Sequence, residues 1–269
     1  MSKSKNKPYQ EFDIRKIEKE VTKVVREAAK LFADRKAAEN TVEKGSCDYV
    51  TMVDNEVQNF IQKKLYKLYP EILFLSEEKD NSDVDIGDVL WVLDPVDGTT
   101  NLIYDYKMSA ISLALIVGGK PLMGVVYNPY SDEMFSAIWG EGSYLNGKRI
   151  YCRKPAALSE SLIAIGTTPY HKEEADEIFD LFKRLFKDGR DLRRSGSAAL
   201  DLAHVAAGRI DIYLEKRLKI WDYAAGTLIV REAGGVVCDY AGNEREMDMV
   251  GDVIAGCEDV VKEIVEKYL

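Results

Sequence analysis

The chain has 269 residues, 46% hydrophobic and 31% charged, with 19 Gly, 7 Pro and 4 Cys; this allows one large or two modest domains and excludes disordered, collagen-like and disulfide-stapled classes. Acidic residues outnumber basic ones by 46 to 37, a formal charge of -9, which argues against nucleic acid as a partner and suits a protein that gathers divalent cations. The longest uncharged apolar run, Ile111 to Val117, is far short of the ~20 residues of a membrane span, so no membrane is expected.

The basic, polar stretch from Met1 to Gln10 lacks the apolar core of a signal peptide and reads as a frayed tail. Ile14, Ile17, Val21, Val24, Val25, Ala28, Leu31 and Phe32 recur at helical spacing and predict an amphipathic helix. A second helix is predicted after Asp54, with Val57, Phe60, Ile61, Leu65 and Leu68 on one face and Pro70 beyond its end. Buried strands are expected at Ile72 to Leu75 and Val89 to Leu93, on either side of a charged loop. Ala110 to Val117 and Leu122 to Tyr127 read as strands around a Gly118-Gly119 turn. Asn146-Gly147 marks a type I′ hairpin, because both central residues need positive φ.

The composition shifts near Pro155. Beyond it, strands are expected at Leu162 to Ile165, Arg209 to Leu214, Val236 to Tyr240 and Val253 to Gly256. Helices are expected at Ala175 to Phe186 (stopped by Gly189), Ser197 to Ala207, Tyr223 to Glu232 and Glu258 to Leu269. The order predicts mixed α and β layers, with subdomains of about 11–155 and 156–269 within one unit. The cysteines (Cys47, Cys152, Cys238, Cys257) form no CxxC pair and read as reduced thiols of a cytoplasmic protein, with Cys47 a packing residue. His171 and His204 are too few for a histidine-based metal site.

The informative run is Asp94-Pro95-Val96-Asp97-Gly98-Thr99-Thr100-Asn101, where two carboxylates end a buried strand. Asp-Pro and Asp-Gly also shape turns, so this run alone leaves a metal site and a plain turn both open. Glu77 and Glu78 follow another buried strand, Asp48 to Asp54 precedes the second helix, and Trp221-Asp222 opens a later helix with small residues that permit close backbone approach. Converging carboxylates without histidine fit Mg²⁺ better than Zn²⁺. The backbone N–H groups of Gly98, Thr99 and Thr100 offer an anion cradle beside them. Metal-assisted phosphoryl chemistry follows from the pairing.

With those residues in view, the chain resembles the inositol monophosphatases, lithium-sensitive and magnesium-dependent sugar phosphatases. The carriers are Asp48 to Asp54, Ser76-Glu77-Glu78, Asp94 to Asn101, Trp221-Asp222-Tyr223-Ala224-Ala225-Gly226 and the Gly140 to Ile150 hairpin. The resemblance implies a layered αβαβα sandwich, usually a homodimer, acting on a small phosphorylated polyol or sugar with two to three Mg²⁺ ions. It implies that Glu77, Asp94 and the Val96 carbonyl hold one Mg²⁺, that Asp94, Asp97 and Asp222 hold a second, and that Glu77 with waters holds a weaker third. Gly98 and Thr99 match the phosphate turn, and Asp48 with the Thr99 hydroxyl matches the pair that activates water. Gly196, Ser197, Ala198 and Glu215 match the positions that contact the alcohol, with Ser197 replacing the usual Thr.

A dinucleotide-binding enzyme is excluded because no G-x-G-x-x-G follows a strand. A catalytically silent sugar-phosphate-binding protein would be expected to have lost a carboxylate, yet Asp48, Glu77, Asp94, Asp97 and Asp222 are all present. Relatives of the family cleave inositol phosphate, fructose 1,6-bisphosphate, histidinol phosphate or adenosine bisphosphate. Glu215 favours a monophosphate such as myo-inositol 1-phosphate, since it repels a second phosphate. Arg193, Arg194, Lys216, Arg217 and Lys219 either form a solvated face or clamp that second phosphate.

Overall fold

The computed structural model describes residues 12–45 and 48–269, with the side chains of Lys44 and Asp48 also outside the described set. Three helices lie near the start: α1 (Ile14–Ala28), α2 (Arg35–Glu39) and, after the hairpin β1 (Thr41–Gly45) and β2 (Asp48–Thr51), α3 (Met52–Leu68). A seven-stranded sheet follows, from β3 (Leu73–Ser76), β4 (Val89–Asp97), β5 (Ala110–Val117), β6 (Lys120–Asn128), β7 (Glu133–Ile138), β8 (Gly142–Leu145) and β9 (Lys148–Arg149), in that spatial order. The short helix α4 (Thr99–Ile103) interrupts it. The second half supplies β10 (Leu162–Ile165), α5 (Ala175–Asp188), β11 (Asp191–Arg193), α6 (Ala198–Ala206), β12 (Ile212–Lys219), α7 (Ile220–Glu232), β13 (Val236–Cys238), β14 (Val250–Gly256) and α8 (Glu258–Tyr268). Its strands form a mixed sheet in the order β11-β10-β12-β14-β13.

The cores define the layers. One cluster packs α1 and α3 on the outer face of the large sheet. A second places α6 and α7 between the two sheets, and a third packs α5 and α8 outside the smaller one. The molecule is therefore an αβαβα sandwich, as expected. The two middle helices are buried almost all round, the condition for a helix sealed between layers. Small residues allow that approach: a Cβ on Gly124 of β6 would lie 2.8 Å from the Ala225 carbonyl oxygen of α7.

Several boundaries differ from the sequence reading for local reasons. Helix α3 starts at Met52, ahead of Asp54, because Thr51 caps it and Asp54 closes a capping box. Helix α7 starts at Ile220 because the Asp222 carboxylate accepts from the Lys219 N–H, holding the first turn. Strand β12 runs on to Lys219 through a bulge between Glu215 and Leu218, where Arg217 takes φ +59°. The Asn146-Gly147 turn has φ values of +49° and +76°, as a type I′ hairpin requires.

Candidate active site

Asp94 and Asp97 stand three residues apart, so a regular strand would point them to opposite faces. The pairing of β4 with β5 removes the conflict: Asp94 faces Ser112 but Asp97 faces Ala110, an extra residue that bulges the strand at Pro95-Val96. Pro95 is tolerated there because a bulge needs no ladder N–H. Asp222 arrives from the first turn of α7, tied to β5 by the Ser112 hydroxyl donating to the Trp221 carbonyl over 3.1 Å. Carboxylate oxygens of Asp94, Asp97 and Asp222 then lie within 4.8 Å of one another.

The electrostatics of this trio are unfavourable without a cation. Asp94 and Asp97 are 2% and 7% exposed. Burial first, and then the charges of Glu77, Asp97 and Asp222, hold the Asp94 carboxyl well above the usual carboxylate range. Burial, Asp97 and Glu77 do the same to Asp222. Asp97 is raised to about 6 by burial, although it accepts from the Ser197 hydroxyl and from Ala199 N–H at 2.9 Å. The donors are all hard oxygens, so the cluster fits a cation such as Mg²⁺, which would relieve its repulsion. Glu77 begins the turn after β3, its N–H on the Leu93 carbonyl at 3.3 Å, which sets it beside Asp94.

Gly98 has φ +88° and leads into α4. A Cβ there would lie 2.9 Å from the Met108 carbonyl and 3.1 Å from that of Gly196, so glycine is required for both conformation and space. Thr99 Oγ1 is 3.1 Å from both the Val96 carbonyl and Asp54 Oδ1, one proton facing two acceptors. Asp54 is fully buried, and burial pushes its carboxyl up to about 6. The Asp48 backbone opens β2, but its side chain, like Cys47, lies outside the described residues. The carboxylate that the described residues place on Thr99 is therefore Asp54, which sequence reasoning had quoted only as the end of a motif.

On the far side, Gly196 (φ +85°) precedes Ser197, which caps α6 by accepting from Leu200 N–H. The Ser197 hydroxyl proton goes to Asp97, so this residue braces a site carboxylate. Ala198 opens α6. Glu215 lies across Gly166, accepting from the Tyr213 hydroxyl at 2.6 Å and from Thr168 N–H at 3.2 Å. Asp201 sits behind it, raised to about 8 by burial, with one oxygen on the Ser195 hydroxyl at 2.7 Å. Ser195 and Asp201 were not singled out from the sequence, and Asn101 stood only as the last residue of the Asp94 to Asn101 run. The one signal for Asp201 is a polar residue inside an apolar helical run.

Fold and site together define a layered α/β protein with a carboxylate centre beside a glycine turn. The inositol monophosphatase family profile matches residues 5–268, and the chain belongs to that family. Nus factor SuhB of Escherichia coli strain K12 is 40% identical over 243 residues, covering 89% of this chain and 91% of the relative. Among solved structures, extragenic suppressor protein suhB from Bartonella henselae superposes with a TM-score of 0.85 at 32% identity, over 93% of this chain and 97% of that one. Inositol monophosphatase-II from Staphylococcus aureus MSSA476 superposes at 0.83 and 27%, over 94% and 95%. A further relative, SaIMPase-II with inositol monophosphate bound, gives 0.82 at 28%, over 94% and 93%.

Proposed function

We propose that the chain is a Mg²⁺-dependent phosphomonoesterase that hydrolyses a small polyol phosphate, myo-inositol 1-phosphate above all, to the alcohol and phosphate. The observation that carries this is the three carboxylates within 4.8 Å, two of them buried, one strand-end away from a threonine held on a fourth carboxylate. Glu77, Asp94, the Val96 carbonyl, Asp97 and Asp222 would hold two to three Mg²⁺ ions. When bound, Mg²⁺ supplies Lewis acidity toward a phosphoryl oxygen and acidifies water. The N–H groups of Gly98 and Thr99 hold the phosphate. The Thr99 hydroxyl, backed by Asp54 or Asp48, orients the attacking water and passes its proton to the carboxylate. The new P–O bond forms as the bond to the alcohol oxygen breaks, and that oxygen takes a proton from solvent. Positioning and charge neutralisation suffice here, so no covalent nucleophile is needed.

Gly196, Ser197, Ala198 and Glu215 line the alcohol side. The basic residues support a monophosphate over a bisphosphate. Arg193 is 2.5 Å from Asp191, Lys216 is 2.5 Å from Glu177, and Arg217 pairs with Glu174. Arg194 donates to Thr167 Oγ1 over 3.3 Å. The bound inositol monophosphate in SaIMPase-II points the same way, while 2'AMP in another SaIMPase-II structure keeps nucleotides on the panel. The active species is read as a cytoplasmic homodimer, which sedimentation of the purified chain checks.

The deciding experiment is phosphate release with Mg²⁺ from myo-inositol 1-phosphate, fructose 1,6-bisphosphate, histidinol phosphate and adenosine 3′,5′-bisphosphate. Inositol phosphate should be turned over best, and Arg217→Ala should leave that unchanged. A bisphosphate preference that disappears in Arg217→Ala overturns the substrate assignment. A second reading, a non-catalytic binding role, draws on relatives named Nus factor. It prevails if the wild-type chain binds Mg²⁺ yet releases no phosphate from any ester.

A further inference from the structure

We infer that Asn101 is a positioning residue that couples the Gly98 turn to the Gly196 turn, so that the phosphate side and the alcohol side of the site move together. The inference rests on the phosphatase reading for its kinetic consequence, but not for its geometry. Asn101 is 7% exposed and lies in α4. Its Nδ2 is 2.6 Å from the Met108 carbonyl and 3.0 Å from the Ser195 carbonyl, 94 residues away. Both neighbours are acceptors, and only the NH₂ edge of the amide satisfies two of them at once.

The two turns close on this amide from either side. A Cβ on Gly98 would lie 3.3 Å from Nδ2, and one on Gly196 would lie 3.1 and 3.2 Å from Nδ2 and Oδ1. The Cβ built on Gly98 would also stand 3.1 Å from the Gly196 carbonyl, so the backbones themselves nearly touch. Each turn is anchored on its own side. The Ser109 hydroxyl donates to the Gly98 carbonyl over 2.8 Å, and the Ser195 hydroxyl accepts from Ser197 N–H at 3.0 Å and reaches Asp201. Asn101 joins these two anchored pieces through its Ser195 and Met108 bonds, beside the Asp97 carboxylate that accepts from Ser197 and Ala199. In an in-line displacement the attacking water and the leaving alcohol sit on opposite sides of phosphorus, so the spacing of the turns that hold them matters to the rate.

The test uses Asn101→Leu, which keeps the volume and deletes both donors, with Asn101→Ala as the second variant should the first not fold. Each is compared with wild type on myo-inositol 1-phosphate and on p-nitrophenyl phosphate, with Mg²⁺. An aryl leaving group departs without polyol contacts, so it reports on the phosphate side alone. The kcat/KM for the inositol ester should fall by about a hundredfold, and that for the aryl ester far less. Equal losses on both esters, as a merely structural role gives, overturn the proposal, as does no loss on either. A second readout is independent of turnover: amide hydrogen exchange with Mg²⁺ and inorganic phosphate. Phosphate should slow exchange at 97–101 and 195–199 in wild type, but only at 97–101 in the variants. Slowing at 195–199 that is absent in wild type, or equal in the variants, also overturns it. If wild type cleaves neither ester, the phosphatase reading fails while the exchange data still decide the coupling.

Discussion

Thr99 and Asp54, 45 residues apart, share a 3.1 Å hydrogen bond, while the other Asp54 oxygen accepts the Thr51 N–H at 2.8 Å and closes the start of α3. One carboxylate thus serves the threonine proposed to orient water and a helix cap. Thr99→Ala removes only the hydroxyl and should lower kcat by about 10²–10⁴-fold with KM and melting temperature little changed. Asp54→Ala should match that loss and also destabilise the fold by about 1–2 kcal/mol through the broken cap. Steady-state kinetics and thermal unfolding check both. A raised KM with normal kcat would reassign Thr99 to substrate binding.

The carboxylate trio predicts opposite effects on stability and activity. Asp94→Asn relieves repulsion from Glu77, Asp97 and Asp222, so the metal-free protein should melt at a higher temperature than wild type. The same change should abolish the Mg²⁺-dependent rise in melting temperature and most phosphate release. A variant that still gains full stabilisation from Mg²⁺ sinks the assignment.

His204 supplies a pH dependence away from the site. It packs edge-on against Phe135, beside the Arg209–Glu133 ion pair, and burial followed by Arg209 lowers it from 6.5 to about 4. Between pH 6.5 and about 4 the unfolded chain therefore binds a proton that the folded chain refuses. The His204 contribution to stability should fall as pH falls through that window, by about 3 kcal/mol in all, and be level above it. In His204→Phe the difference from wild type should grow toward acid pH; parallel profiles would refute the effect.

Gly166 carries a prediction about the alcohol side. A Cβ there would lie 1.8 Å from the Glu215 carboxyl carbon, and Glu215 is pinned by Tyr213 and Thr168. Gly166→Ala should displace Glu215 and raise KM for inositol phosphate, leaving p-nitrophenyl phosphate turnover near normal. Equal effects on both esters would place Glu215 outside the alcohol contact.

Much of the fold was legible because its signals are local. β5 matches the expected Ala110–Val117 and β10 the expected Leu162–Ile165, since runs of buried aliphatic residues declare themselves. Asn146-Gly147 fixed its hairpin by φ alone. The motif residues Asp94, Asp97 and Asp222 were nameable, but the bulge that turns Asp97 toward Asp94 was not, because a bulge belongs to the pairing of two strands. The β1–β2 hairpin was missed, as Thr41 to Thr51 has little apolar alternation. The partners of Asp54 and Asn101, Thr99 and Ser195, escaped because they lie 45 and 94 residues away, and periodicity carries no information about such partners.

The placement of α7 between the sheets bears on how the molecule is made. Asp94 and Asp97 belong to the first half of the chain and Asp222 to the second, so the trio exists only after the two sheets have closed on the middle helices. A nascent chain released only as far as β9 would carry two of the three acids and no complete metal centre. Under the proposed metal role, Mg²⁺ uptake then marks the end of folding, and a refolding trace followed by metal binding should lag one followed by the formation of the seven-stranded sheet.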